Sequence, residues 1–97
     1  MEFTELIIPF EIEQKLLWKH NVNAYEVEEV FQGRPQIRFI EKGHIQGEDL
    51  YVALGQTEAG RYLSAFFINK GKGKALIISA REMDTKERKR YGKTRRK

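Results

Sequence analysis

The 97 residues predict an α+β domain: a small antiparallel β-sheet meander, two N-terminal helices packed on it, and a short C-terminal helix. Three observations predict it. Apolar residues recur at helical spacing before residue 34 and in strand-length runs after it. Glycine-bearing turns separate those runs at regular intervals, which favours antiparallel pairing of neighbours. Residues 23–26 and 84–87 each have the form of a capping box, an Asn or Asp with Glu three positions on.

In chain order, Leu6-Ile7-Ile8 within residues 2–10 predicts a short strand, ended where Pro9 removes a backbone donor. Residues 11–20 change period: Ile12, Leu16 and His20 fall at i, i+4 and i+8 with Leu17 beside them. That spacing predicts an amphipathic helix, with Trp18 and Lys19 towards its flanks. Asn21-Val22-Asn23 breaks it. Asn23 then caps a second helix with the stripe Val27, Val30 and Phe31, closed by Gly33 and Pro35. So short a connection packs the two helices as a pair, covering one face of the sheet.

Strands are expected at 36–40, 50–54, 62–68 and 74–81, divided by a polar loop over 41–49 and turns over 56–60 and 69–73. Gly71 and Gly73 supply the positive φ that a tight reversal needs. In the last strand, strict alternation puts Leu76, Ile78 and Ala80 on one face and Ala75, Ile77, Ser79 and Arg81 on the other. The third helix starts at the 84–87 box and is expected to stop after Tyr91 at Gly92. Residues 1–92 therefore read as one domain and 93–97 as a basic tail.

Composition narrows the function. The chain has no cysteine, so neither a disulfide framework nor a thiolate metal site is open to it, which fits a reducing cytoplasm. No apolar stretch nears the roughly 20 residues of a membrane span, and the acidic start lacks the basic region of a signal peptide. Net charge is +4, yet its placement matters more: residues 81–97 hold nine Lys or Arg against three acids. Such a patch attracts polyanions, nucleic acid first.

Enzyme motifs with a metal or a phosphate loop are missing. Gly71 and Gly73 sit in a hairpin, and His20 and His44 lie too far apart in sequence to suggest a metal pair. What remains is polar residues at element ends. Lys19 and His20 close the first helix; Arg61 opens one strand and Arg81 closes the next, at the same end of the sheet. Two guanidinium groups beside a helix carrying Arg88 would form a compact phosphate site.

Several segments together are similar to a known family. The order Phe10-Glu11-Ile12-Glu13-Gln14-Lys15, Lys19-His20-Asn21-Val22 and Glu28-Glu29-Val30-Phe31 resembles the N-terminal half of the BrnT-type toxins. Gly43-His44, Gly47-Glu48, Tyr51-Val52-Ala53-Leu54-Gly55, Gly60-Arg61, Ile77-Ile78-Ser79-Ala80-Arg81, Glu87-Arg88 and Tyr91 continue it. Ile12, Glu13 and Asn21 stand where that family commonly has Trp, Asp and Gly; Asn tolerates the left-handed backbone a glycine would supply.

The resemblance implies a RelE-like fold and a ribonuclease of a type II toxin–antitoxin pair that cuts RNA with no metal or other cofactor. It implies as partner a ribbon-helix-helix antitoxin, through which the complex contacts DNA and represses its own operon. Carried over by position, the candidate catalytic residues are Lys19, His20, Arg61, Ser79, Arg81 and Tyr91, with Glu28 or Glu29 as a further base. Arg88, Lys89 and Glu28 are the candidate RNA contacts. In such a site the arginines would stabilise the phosphorane, and His20 or a glutamate would take the 2′-hydroxyl proton. The alternative is a non-catalytic module of the same fold that binds nucleic acid or antitoxin in operon repression.

Overall fold

Pro9 and the two capping boxes punctuate the chain where expected, and the elements between them follow the hydrophobic periods. The computed structural model describes residues 2–95. It contains β1 (Glu5–Ile7), α1 (Phe10–His20), α2 (Ala24–Gln32), β2 (Gln36–Glu41), β3 (Leu50–Gln56), β4 (Tyr62–Gly71), β5 (Lys74–Glu82) and α3 (Thr85–Arg95). The strands form one sheet in the order β1-β5-β4-β3-β2.

From β2 to β5 the sheet is the expected antiparallel meander. The first strand departs from it. β1 pairs parallel with β5, Leu6 lying opposite Ala75, so the sheet is mixed. The cause is at the β4–β5 turn, where the Gly73 carbonyl accepts from the N–H groups of both Thr4 and Glu5. The N-terminal segment is thereby docked beside β5 in the same direction.

A second departure is a bulge. Phe66 pairs with Ser79 but Phe67 pairs with Ile77, leaving Ile78 as the extra residue. Alternation therefore reverses at Ile78. Ala80 joins Ala75 and Ile77 in the main core rather than sharing a face with Leu76 and Ile78.

That core lies under α1 and α2. Leu16, Val22, Val27 and Val30 pack on Ala53, Leu63, Ala65 and Phe67, with the rings of Phe3, Phe31 and Tyr51 around Phe67. Val22 reaches it because Asn21 ends α1 in the left-handed conformation, φ 54°, and turns the next residue inward. Gly55 sets how closely α2 approaches: a Cβ there would stand 2.9 Å from the Val30 side chain.

The helices do not all cover one face. α3 lies on the other, where Tyr91 is buried with Val52 and Leu54 beside Tyr62, Phe66 and Met83. Strands apolar on both faces need cover on both, and the third helix supplies it. Nor does α3 stop at Gly92; it runs to Arg95. A glycine costs a helix only about 1 kcal/mol relative to alanine, and Tyr91 anchors the turn before it. Part of the expected tail is thus helical, while Arg96 and Lys97 lie outside the described residues.

Candidate functional site

Arg61 and Arg81 do lie at the same end of the sheet, where β4 begins and β5 finishes. They do not converge on one pocket. Arg61 faces α2 and Arg81 faces α3, on opposite sides of Glu82. The Glu82 carboxylate takes an N–H from Arg61, and its carbonyl takes one from Arg81.

Each arginine is held by the glutamate of a capping box. In the first box Glu26 accepts the Asn23 N–H at 2.9 Å. The same carboxylate accepts Arg61 Nη1 at 2.9 and 3.0 Å. The Glu26 side chain is 8 % exposed and that of Arg61 26 %. Arg61 Nη1 also donates to the Asn21 carbonyl at 2.8 Å, and Nε to Glu82 at 3.3 Å. Burial works to lower the Arg61 pKa, but the bonds and charges of Glu26 and Glu82 outweigh it and raise it. Arg61 therefore ties the end of α1, just after Lys19 and His20, to α2 and β5.

In the second box Asp84 and Glu87 exchange backbone-to-carboxylate bonds at 2.9 and 2.8 Å. Glu87 then takes a two-pronged grip from Arg81, Nη1 at 2.8 Å and Nη2 at 3.0 Å, and a bond from the buried Ser64 hydroxyl at 2.9 Å. Hydrogen bonding to Glu87 is the main reason the Arg81 pKa is raised. Burial pushes the Glu87 carboxyl up, yet Arg81, Asp84 and Ser64 together hold it below its ordinary value.

The donor count separates the two arginines. A guanidinium has five N–H groups. On Arg81, Glu87 and the Glu82 carbonyl engage three, leaving Nε–H and one Nη2–H without a partner among the described residues. Those two point along one side edge, which matches two oxygens of a phosphate. Arg81 can therefore take an anion without releasing Glu87.

The other candidates are more scattered. His20 is half-buried at the end of α1, and Lys19 is exposed beside it. Ser79 shares the α3 side of β5 with Arg81. Tyr91 packs its ring edge-on to Tyr62 at 5.9 Å, and Arg88 lies over the Tyr62 ring, its guanidinium carbon 3.6 Å from the centroid. Lys89 is exposed on α3. Glu28, by contrast, is on α2, in a groove with Phe3, Thr4 and Phe31, on the opposite side of the sheet from Arg88 and Lys89. Glu29 accepts the Glu58 N–H and braces the β3–β4 turn. Among the described residues no three His, Cys, Asp or Glu side chains gather as a metal site.

Sequence reasoning identified Glu26 and Glu87 only as caps and passed over Ser64 as a partner of Glu87 and Glu82 as a partner of both arginines. A signal existed for one of them. Glu87 is six residues from Arg81 across a short connection, within easy reach of a guanidinium. Nothing local marks Glu26 as the partner of Arg61, 35 residues on.

The depressed Glu87 carboxyl has a consequence for pH. Its ionised form is favoured by folding, so the cluster stabilises the protein above the ordinary glutamate range, about pH 4.3. That stability is lost as pH falls through the lower, folded value. The Glu87→Gln variant is expected to melt below the wild type at neutral pH, with the gap closing on acidification. A gap in Tm that persists unchanged in acid refutes this.

Fold and site define a small α+β protein with two carboxylate-braced arginines at one end of its sheet. The sequence matches the family described as "Ribonuclease toxin, BrnT, of type II toxin-antitoxin system" over residues 12–87. The chain belongs to that family. Membership implies an RNA target and an antitoxin partner. The crystal structure of the Brucella abortus ribonuclease toxin BrnT is similar in fold, with a TM-score of 0.61 at 14 % identity over 84 % of this chain and 99 % of that one. No curated protein matches the chain. Among the described residues no helix is long and apolar enough to cross a membrane.

Proposed function

We propose that the chain is an endoribonuclease that cuts RNA without a metal, on a RelE-like scaffold. In this reading a ribbon-helix-helix antitoxin neutralises it, and the pair represses its own operon. The observation that carries the reading is the side edge of Arg81, charged, braced from behind by Glu87, and left with two donors for a phosphate.

RNA brings its own nucleophile. The 2′-oxygen attacks phosphorus as a base takes its proton, the 5′-oxygen leaves with a proton from water, and a 2′,3′-cyclic phosphate remains. Arg81 stabilises the charge that builds on the phosphoryl oxygens. Lys19 and His20 lie across Glu82 from Arg81. A strand bent over the sheet end would set its scissile phosphate on Arg81 and its 2′-hydroxyl towards His20, which takes the proton, with Lys19 on the adjoining phosphate. Arg61 is a positioning residue: through the Asn21 carbonyl it fixes the helix end that presents Lys19 and His20. Ser79 bonds the phosphate beside Arg81, while Tyr91 supports Tyr62 and the stacked Arg88.

The test is cleavage of a synthetic RNA by the purified chain in excess EDTA, with the product ends analysed. Cyclic phosphate and 5′-hydroxyl ends are expected, and a 2′-deoxy substitution at the cut site should block the reaction. Cleavage that vanishes in EDTA and returns with magnesium would refute metal independence. Intact RNA in the presence of folded chain favours the non-catalytic module.

A further inference from the structure

One face of α3 packs on the sheet and the other carries charge. At 100° per residue, Glu87, Tyr91 and Arg88 occupy the inward arc, held by Arg81, Val52, Leu54 and Tyr62. Lys86, Lys89, Arg90 and Lys93 fall on the opposite arc and together line one open groove. The only acid within α3 is Glu87, and Arg81 engages it. Lys86, Lys89 and Lys93 make no ion pair among the described residues.

This arrangement works against the helix that carries it. Like charges three and four residues apart repel, as in Lys86 with Lys89 and Lys89 with Lys93. Lys86 also puts a cation in the first turn, where the helix dipole is positive. Solvation alone gives no reason for a single-signed stripe. Its length suits a strand of nucleic acid: seven residues at 1.5 Å rise reach about 10 Å, long enough to meet more than one phosphate of a backbone. The family match ends at residue 87, so most of the stripe lies past the matched segment.

We infer that Lys86, Lys89 and Lys93, with Arg90, form a second RNA site that holds the phosphate backbone of single-stranded substrate flanking the cut. The choice of RNA over other polyanions rests on the ribonuclease reading above. It also rests on continuity, since the same helix supplies the Glu87 that braces Arg81. The site keeps Lys89 as an RNA contact. It excludes Glu28, which lies beyond the sheet, and leaves Arg88 to its stack on Tyr62.

The test uses the full chain, its Lys86→Gln/Lys89→Gln/Lys93→Gln variant, and a charge-matched control, Lys15→Gln/Lys42→Gln/Lys72→Gln. The probe is a fluorescent single-stranded RNA with 2′-O-methyl groups, which cannot be cut, titrated over a series of potassium chloride concentrations. The stripe variant should bind about 10- to 100-fold more weakly. Its log–log salt slope should be about 2 shallower, near 0.7 for each lost phosphate contact. On cleavable RNA the loss should fall on KM. Wild-type affinity and slope in the stripe variant overturn the inference, as does an equal loss in the control or a wild type that ignores the probe. Loss of duplex-DNA binding with RNA binding intact also overturns it and assigns the stripe to DNA. A wild type that binds the probe through the stripe but cuts no RNA refutes the nuclease reading and leaves the stripe as a site for RNA backbone without a cut beside it.

Discussion

Arg81→Ala is expected to lower the single-turnover rate of RNA cleavage by about 10²- to 10³-fold, the usual cost of removing one preorganised donor to a developing oxyanion. The geometry makes this larger than the effect of losing Lys19 or Ser79, because of the three side chains Arg81 alone is held by a carboxylate at one edge and left with a second edge for phosphate. The same side chain also neutralises Glu87, which is largely buried, so Arg81→Ala should cost stability as well, about 1–3 kcal/mol. The two effects must be separated. Arg81→Lys keeps a cation beside Glu87 but cannot offer a planar edge to phosphate while gripping a carboxylate. It should therefore stay near the wild type in melting and still lose at least about tenfold in rate. An Arg81→Lys enzyme with wild-type rate would leave Arg81 as a structural residue and move the phosphate contact elsewhere.

How far the residues foretell this arrangement depends on the range of the interaction. Helices, strands and turns rest on local periodicity, and both capping boxes were legible because their partners are three residues apart. The Asn21 helix end was legible too, since few residues besides glycine tolerate φ 54°. What escaped was non-local. Nothing in Leu6-Ile7-Ile8 specifies a parallel partner; β1 joins β5 because the Gly73 carbonyl is free at a turn some 70 residues away. The bulge at Ile78 also has no local mark, because Ile77 and Ile78 are equally apolar and either could be the extra residue. It matters for the site: the residues past it, Ser79 and Arg81 among them, owe their facing α3 to that one inserted position. The pairing of Arg61 with Glu26 was hidden for the same reason, since a guanidinium finds its carboxylate through the fold.

That hidden pairing carries the largest stability effect expected here. Glu26→Ala removes the reciprocal half of the α2 cap, worth about 1 kcal/mol. It also strips a guanidinium that is three-quarters covered of its closest carboxylate, leaving Arg61 with Glu82 and the Asn21 carbonyl. A fully buried pair broken this way costs roughly 3–5 kcal/mol; the partial exposure of Arg61 brings the sum for cap and pair to about 2–3 kcal/mol. For a domain of this size that is a fall in Tm on the order of 10–20 °C. The two partners should not be additive. With Arg61 already replaced by Ala, Glu26→Ala should cost little beyond its cap, so a double-mutant cycle by urea denaturation should return a coupling of about 1–2 kcal/mol. Additive losses would mean that Glu26 acts only as a cap. Because Arg61 holds the carbonyl that follows Lys19 and His20, the single variants should also lose cleavage in kcat at temperatures where they remain folded. Full activity in folded Glu26→Ala would uncouple the end of α1 from the chemistry.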